Sequence, residues 1–315
     1  MLKSQRWKLV QRCVLIGFFI LISVLIMSLA RSVDWPAVVK TLKSYDYSVS
    51  VAALCLAALS YLLCGSYDIL SGIYTGHTLP RRQVMTVAFI SYAFNYNFGM
   101  LIGGAGLRFR LYSRLGLTKE SIARILSMSL VTNWMGYLCL AGLLFSLRLL
   151  TLPVNVDLGQ GALQLLGILF FAIPLTYVLL CAFSKRRTWA IRGHNITLPS
   201  IRMAMMQLLL SMTNWLTMGL IIFLFLRQEI VFPMVLGTLF IGAFAGIISR
   251  IPAGLGVLEA VFVVFLQYQV PPTDIIAAIL AYRTSYHFLP LLLAGLTYLV
   301  IELRSASRLG SYIKN

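Results

Sequence analysis

Long apolar runs constrain this sequence more than any other feature. A membrane-spanning helix needs about 17 to 25 mostly apolar residues. Of the 315 residues, 60% are hydrophobic and 11% are charged, so a water-soluble fold of this composition would aggregate. The sequence therefore predicts an all-α polytopic membrane protein. The six runs that can span are 13–30, 49–74, 121–147, 161–183, 203–226 and 275–301.

Two further apolar regions, 84–116 and 233–266, are broken in the middle by glycines. Lys and Arg flank the first region on both sides. Because these residues concentrate on the cytoplasmic side, both ends of 84–116 are predicted to lie there. The region is then a re-entrant hairpin, and the fold has six full spans plus two re-entrant hairpins, with both termini cytoplasmic. The flanking cations are Arg81, Arg82, Arg108, Arg110, Arg114 and Lys119.

The two halves of the chain, 1–155 and 156–315, have the same layout of two spans, a broken hairpin and a final span. Gly104-Ala105-Gly106 also matches Gly254-Leu255-Gly256 at a separation of 150. Three crossings per half is an odd number, so the second half is predicted to be an inverted copy of the first. The two glycine tips then approach each other from opposite faces of the membrane, as in inverted-repeat transporters.

The stretch 249–259 interrupts an apolar run with charge, proline and glycine. Pro252, Gly254 and Gly256 predict that the helix stops and restarts near Gly256. The restarted helix presents free amides and a positive dipole end, which suit an anion. Arg250 stands in apolar surroundings, where an unpaired charge costs roughly 2.5–3.5 kcal/mol, so it needs a carboxylate or a ligand phosphate. Glu259 either caps the new helix or serves as a counter-charge.

The first tip carries a similar set of polar residues. Asn95 and Asn97 precede its glycines, Gly104 and Gly106, and are candidates for head-group contact or for hydrogen bonds between helices. Arg108 and Arg110 follow the glycines. They are either part of an anion site or cytoplasmic anchors. Elsewhere, Asp68 and Arg283 are ionisable residues inside apolar runs and are predicted to form ion pairs, with partners that the sequence leaves open.

Metal, cofactor and nucleic-acid chemistry find no support in the sequence. The five cysteines lie in or beside apolar runs without a CxxC pair, and the three histidines are scattered. No metal site and no cofactor are therefore predicted. The net charge of +17 comes from basic residues beside apolar spans, which indicates contact with anionic lipid and not with nucleic acid. In a membrane, the abundant anion with an apolar remainder is a phospholipid.

Two motifs resemble a known family. Residues 103–116 and 251–259, read as GGAGLRFRLYSRLG and IPAGLGVLE, are similar to the YbhN-like inner-membrane proteins of the lysylphosphatidylglycerol synthase/flippase transmembrane superfamily. In its MprF members a comparable membrane region is fused to a synthase domain. The resemblance implies a bacterial inner-membrane location and a role with lipids. On this resemblance, the sequence is expected to lack the soluble aminoacyl-transferring domain.

These observations lead to one main hypothesis and two alternatives. The main hypothesis is a transporter that binds and translocates an anionic phospholipid. Asp68 and Glu259 would be counter-charges or coupling groups, and the hairpins would be gates. The alternatives are a membrane-embedded transferase acting on a lipid-linked substrate, and a non-transporting scaffold for a lipid-modifying enzyme partner. The residues that would hold the phosphate are Arg108, Arg250 and Arg283.

Overall fold

The computed structural model describes residues 34–150, 159–191, 194–227, 229–249 and 251–312. Within these ranges the chain is helical apart from turns and one short β-hairpin, so the predicted all-α fold class is confirmed. The helices are α1 (Trp35–Lys43), α2 (Tyr47–Thr75), α3 (Arg81–Phe98), α4 (Leu107–Arg114), α5 (Lys119–Ser146), α6 (Gln160–Phe183), α7 (Ile201–Phe225), α8 (Phe232–Ser249), α9 (Val257–Leu266), α10 (Pro272–Arg283) and α11 (Leu289–Tyr312). Two π-helical segments, Met100–Gly106 and Thr284–Phe288, and the 3₁₀ turn Pro252–Gly254 join some of these helices.

Six helical stretches in the described residues are long and apolar enough to cross a membrane. Five of them match predicted spans. The sixth is α8, which the sequence assigned to the second hairpin, and the predicted span 13–30 lies outside the described residues. The six stretches are Tyr47–Thr75, Lys119–Ser146, Gln160–Phe183, Ile201–Phe225, Phe232–Ser249 and Pro272–Arg304.

Helix ends follow ordinary capping chemistry. The Thr118 side chain accepts a hydrogen bond from the Ser121 amide at 3.2 Å where α5 begins. Ser200 does the same for α7, accepting from the Met203 amide at 3.3 Å. Helix α2 ends at Gly76, whose φ of +73° lies in the left-handed region that favours glycine. The sequence thus sets where these spans start and stop.

The central spans pack closely through small residues. A Cβ atom at Gly136 of α5 would lie 2.2 Å from the Ser211 hydroxyl of α7. A Cβ at Gly142 would lie 2.6 Å from the Phe171 amide nitrogen of α6. Close backbone approach through glycine is typical of membrane helices, where van der Waals packing replaces the hydrophobic effect between spans. Helix α5 therefore packs tightly against both α6 and α7.

Both glycine-broken regions form helical hairpins. A Cβ at Gly103 would lie 2.1 Å from the backbone nitrogen of Asn95. In a continuous helix residues eight positions apart are about 12 Å apart, so the chain must reverse between them. The reversal begins at Gly99, with φ of +82°. Helices α8 and α9 form the second hairpin, in which Gly242 faces Leu258.

The re-entrant arrangement of the hairpins and the inverted repeat of 1–155 and 156–315 remain predictions. A feature that the sequence did not predict is the antiparallel pair β1 (Thr188–Ile191) and β2 (His194–Thr197), within the basic loop after α6. The Tyr74 hydroxyl donates to the Thr197 carbonyl at 2.6 Å and ties this loop to α2.

Candidate functional site

A cavity of about 690 Å³ lies between the two hairpin tips. We call residues 95–106 tip 1, and residues 246–249 and 251–256 tip 2. Tip 1 lines the cavity with Asn95 and Gly99, and tip 2 lines it with Gly246 and Gly254. Its volume falls within the range of small-molecule sites, about 300–1,000 Å³. The residues that break the helices in the sequence therefore border this cavity.

The cavity walls are largely aromatic and aliphatic. Tyr137 contacts Trp134 and Trp215 edge to face, with ring centroids 5.3 and 5.2 Å apart. Tyr96 and Tyr282 also line the cavity. Among the described lining residues, the side chains with amide or imidazole groups are Asn95, Asn133 and His287, and none is an aspartate, glutamate, lysine or arginine.

Asp68 lies at the centre of the first of two buried ionic clusters, which we call the Asp68 cluster. The Arg108 guanidinium donates to both carboxylate oxygens, at 3.0 and 3.1 Å. The Tyr112 hydroxyl donates to the same carboxylate at 3.0 Å and the Ser129 hydroxyl at 2.8 Å. Asp68 is fully buried. Four hydrogen bonds, two from a cation, offset the cost of burying this charge.

The same arginine also holds tip 1. Nη1 of Arg108 donates to the carbonyl oxygen of Gly104 at 3.2 Å. The guanidinium carbon lies 4.3 Å from the centre of the Tyr92 ring, within the range of a cation–π contact. Arg108 thus links α4, which follows tip 1, to α2 and α3. In this geometry the positive charge of Arg108 is paired with groups of the protein itself.

The second buried cluster, the Glu259 cluster, joins Glu259 to Arg283. Nε and Nη2 of Arg283 donate to the two carboxylate oxygens at 2.5 and 3.1 Å. Nη1 donates to the carbonyl of Ala253 and Nη2 to that of Gly254, each at 2.9 Å. Ala253 has a φ of +57°, rare for a residue with a side chain. The arginine therefore holds tip 2 in a conformation that the backbone alone disfavours.

Two other predicted site residues, Arg110 and Asn97, lie outside the two ionic clusters. Arg110 is exposed and pairs with Glu302 at 2.8 Å, which fits the anchor interpretation. Asn97 donates to the carbonyls of Ala93 and His287, at 2.8 and 3.1 Å. It therefore joins α3 to the π-helical segment Thr284–Phe288. Arg250 lies outside the described residues.

The structure therefore separates the predicted site residues into those that line the cavity and those that do not. Asn95 and Gly254 border the cavity, whereas Arg108 and Arg283 belong to the two ionic clusters. Gly104 packs near the side-chain oxygen of Asn95, 2.8 Å from where a Cβ would lie. Gly106 closes the π-helical segment of tip 1, and Gly256 precedes α9 with φ of +77°. The predicted phosphate-binding role of the arginines remains a prediction.

Sequence reasoning missed several cavity residues. The repeated triplets Thr132-Asn133-Trp134 and Thr213-Asn214-Trp215 were a usable signal, since both tryptophans line the cavity. Asn214 instead accepts a hydrogen bond from Ser60 at 2.5 Å, as expected for a contact between helices. No pattern in the sequence marks His287 as a cavity residue. Within the described ranges, no three His, Cys, Asp or Glu side chains are grouped in a way that could hold a metal ion.

Comparison with known proteins decides the family. The model of the family described as "Lysylphosphatidylglycerol synthase TM region" matches residues 14–295, which include both hairpins and both ionic clusters. The chain belongs to this family. The resemblance stated from the two motifs is thereby confirmed.

Relatives within the family differ in length. The Inner membrane protein YbhN of Escherichia coli (strain K12) is 45% identical over 298 residues, 94% of each chain. An uncharacterised protein of Synechocystis sp. is 28% identical over 85% of this chain and 84% of its own length. The Phosphatidylglycerol lysyltransferase of Staphylococcus haemolyticus is 24% identical over 74% of this chain but only 27% of its own length. This family member is thus a multi-pass membrane protein that is similar to only a part of the lysyltransferase.

Proposed function

We propose that this protein binds an anionic phospholipid in the central cavity and carries its head group across the bilayer between the two hairpin tips. The observation that carries the proposal is the cavity itself, an apolar and aromatic space of about 690 Å³ bordered by two broken helices. Broken helices that meet at a central site are the common architecture of secondary transporters.

The preference for an anionic lipid rests on charge and on family. The net charge of +17 favours contact with acidic head groups. The staphylococcal relatives bear the name Phosphatidylglycerol lysyltransferase, which refers to an anionic lipid. Arg250, next to the lining residue Ile251, is the proposed partner of the phosphate. Its assignment stays a prediction from the sequence.

Arg108 and Arg283 have a supporting role in this proposal. Their guanidinium groups hold the tips by contacts with tip carbonyls and with Asp68 and Glu259. Movement of a tip would require these hydrogen bonds to break or to exchange partners. The two clusters are therefore proposed to set the position of the gates, while the cavity walls hold the lipid.

The direct test is translocation of fluorescent phosphatidylglycerol in proteoliposomes, measured by chemical quenching of the label in the outer leaflet. Ala243 lines the cavity from α8, and we expect Ala243→Trp to fill the space and slow translocation. The matched control is Ala182→Trp, since Ala182 is exposed on α6. Wild-type vesicles that behave like protein-free vesicles would refute transport and favour a scaffold for a lipid-modifying enzyme.

A second measurement addresses the phosphate partner. Arg250→Gln removes the charge but keeps a polar side chain. We expect it to slow translocation of phosphatidylglycerol more than translocation of phosphatidylcholine, because the zwitterionic lipid gains less from a cation. Equal slowing of both lipids would remove Arg250 from head-group selection.

The membrane orientation needs its own test. We propose an inner-membrane protein with cytoplasmic termini, and hairpins that enter from opposite faces. Single cysteines introduced at Gly99 and at Gly254, in a variant without the native cysteines, should react from opposite sides with membrane-impermeant maleimide. Labelling of both positions from one side only would refute the inverted arrangement.

A further inference from the structure

The central cavity reaches the outer surface of the helix bundle beside both hairpin tips. Three of its lining residues are about half exposed, and we call them the rim: Phe98 at 48%, Met100 at 51% and Ile247 at 57%. Other lining residues are enclosed, since Tyr137 and Tyr282 are 3% and 1% exposed. The cavity therefore has an inner wall of buried rings and a rim that faces outward.

The two tips that carry the rim are neighbours in space. Helix α3, which ends at Phe98, contacts the 3₁₀ turn Pro252–Gly254 of tip 2. Within tip 2, a Cβ at Gly246 would lie 3.8 Å from the Cα of Gly254, so the residue before Ile247 lies beside the same turn. The tips therefore meet at this turn, and the rim residues flank the meeting point.

The surface around the rim is apolar as well. Phe244, Ile248 and Leu255 of the second hairpin are 45%, 67% and 40% exposed. Walls that line a water-filled passage through a membrane carry polar groups, whereas surfaces that meet lipid tails are apolar. The opening beside the tips therefore suits the hydrocarbon of the bilayer and not an aqueous entrance.

Polar side chains stand further inside the cavity. Asn95 lines it about one turn before Phe98 on α3, and Asn133 lines it from α5. Both side chains are less exposed than the rim residues. A carboxamide can donate and accept hydrogen bonds, so these two groups can bind a polar ligand without a fixed charge. The order from outside to inside is thus an apolar rim followed by polar groups, which matches the two ends of an amphiphile.

We propose that the ligand enters this cavity sideways from the bilayer, through an opening between Phe98 and Met100 of tip 1 and Ile247 of tip 2. The ligand class is then an amphiphile whose acyl tail stays in the hydrocarbon while its polar end lies inside the cavity. Because the tail never leaves the hydrocarbon, its transfer into water costs nothing. The inference rests on the proposed function for the identity of the lipid, and it adds the route of entry.

The test uses Trp134 and Trp215, which line the cavity, as fluorescent reporters. The other tryptophans, Trp7, Trp35 and Trp189, are replaced by phenylalanine. The protein is reconstituted in vesicles, and two quenchers are compared. One is phosphatidylglycerol with brominated acyl chains, which quenches from within the bilayer, and the other is acrylamide dissolved in the water. We expect the brominated lipid to quench the reporters strongly and acrylamide to quench them weakly.

Two rim variants, each with a matched control, test whether the lipid passes the rim. Ile247→Phe narrows the opening and should reduce quenching by the brominated lipid. Ile168→Phe is its control, since Ile168 is 53% exposed on α6 but does not line the cavity. Phe98→Ala widens the opening and should increase the same quenching. Its control is Phe183→Ala, because Phe183 is 78% exposed on α6 and also lies away from the cavity.

The outcomes separate the route of entry from transport. Quenching by acrylamide alone would show that the cavity opens to water and would overturn the proposal. Rim variants that behave like their controls would overturn it too, as would a lack of quenching by either reagent. A protein that is quenched as expected but translocates no lipid would lose the proposed transport and keep the lateral opening. Thermal unfolding identifies a variant with a folding defect, and the other rim variant then decides.

Discussion

The Asp68 cluster gives the sharpest test of how the fold is held together. Asp68→Ala removes the acceptor of four hydrogen bonds, two from Arg108 and one each from Tyr112 and Ser129. The Arg108 side chain is only 4% exposed, so it cannot reach water when its partner is lost. After the substitution, Arg108 keeps its contacts with the Gly104 carbonyl and with the face of the Tyr92 ring.

The expected cost follows from that geometry. Removing one member of a buried ion pair destabilises a protein by about 3–5 kcal/mol, because an uncompensated charge stays behind. The exposed pair Glu120–Arg124, at i and i+4 on α5, is the matched comparison, with side chains 66% and 50% exposed. Glu120→Ala should cost less than about 0.5 kcal/mol. The double variant Asp68→Leu, Arg108→Met should be more stable than Asp68→Ala, since it removes both charges together.

The assay is the free energy of unfolding of purified protein in mixed micelles, measured by titration with a denaturing detergent. Tryptophan fluorescence reports the transition, because Trp134 and Trp215 lie near the core of the helix bundle. The reasoning is refuted if Asp68→Ala and Glu120→Ala differ by less than about 1 kcal/mol. It is also refuted if the double variant is less stable than Asp68→Ala, since the cost would then arise from packing and not from charge.

Two other predictions concern tip 2 and the helix packing. Glu259→Gln keeps the shape of the side chain but leaves the Arg283 charge unpaired, so the unfolding free energy should fall by about 3 kcal/mol, and protease cleavage near tip 2 should rise. Cleavage that stays at the wild-type level would show that Arg283 does not hold this tip. Gly136→Ala should destabilise by about 1–3 kcal/mol because its Cβ would meet Ser211, whereas Gly295→Ala, with open space around it, should stabilise slightly. Equal unfolding midpoints for the two glycine variants would contradict the packing argument.

Much of the fold could be predicted because it depends on local properties of the sequence. Apolar length and capping residues are read within one segment, so five of the predicted spans agree with the structure to within a few residues. The hairpins were placed by glycine and proline, whose backbone preferences are also local. The β1–β2 pair was missed because its strands have four residues each, too few for a clear alternation.

The pairing of charges could not be predicted with the same certainty. Asp68 and Arg108 are 40 residues apart, and their contact depends on which spans are neighbours in the bundle. The sequence left the partner of Arg283 open, and the structure identifies it as Glu259. His287 was missed for the same reason, because only the assembled bundle brings a lone histidine to the cavity edge.

The two ionic clusters show how this fold holds two broken helix tips without placing Arg108 or Arg283 in the described cavity walls. Each buried arginine holds a hairpin tip by its carbonyl oxygens and is neutralised by its own carboxylate. Backbone carbonyls at a helix break have no intrahelical donor, and lipid tails cannot supply one. An arginine supplies several donors from one side chain, and the carboxylate keeps the cluster neutral in a medium of low polarity. The tips can then remain broken inside the bundle, and the described walls of the cavity between them consist of neutral side chains. On the proposed function, these walls hold the lipid, while the charge that selects an acidic head group comes from Arg250, next to the lining residue Ile251.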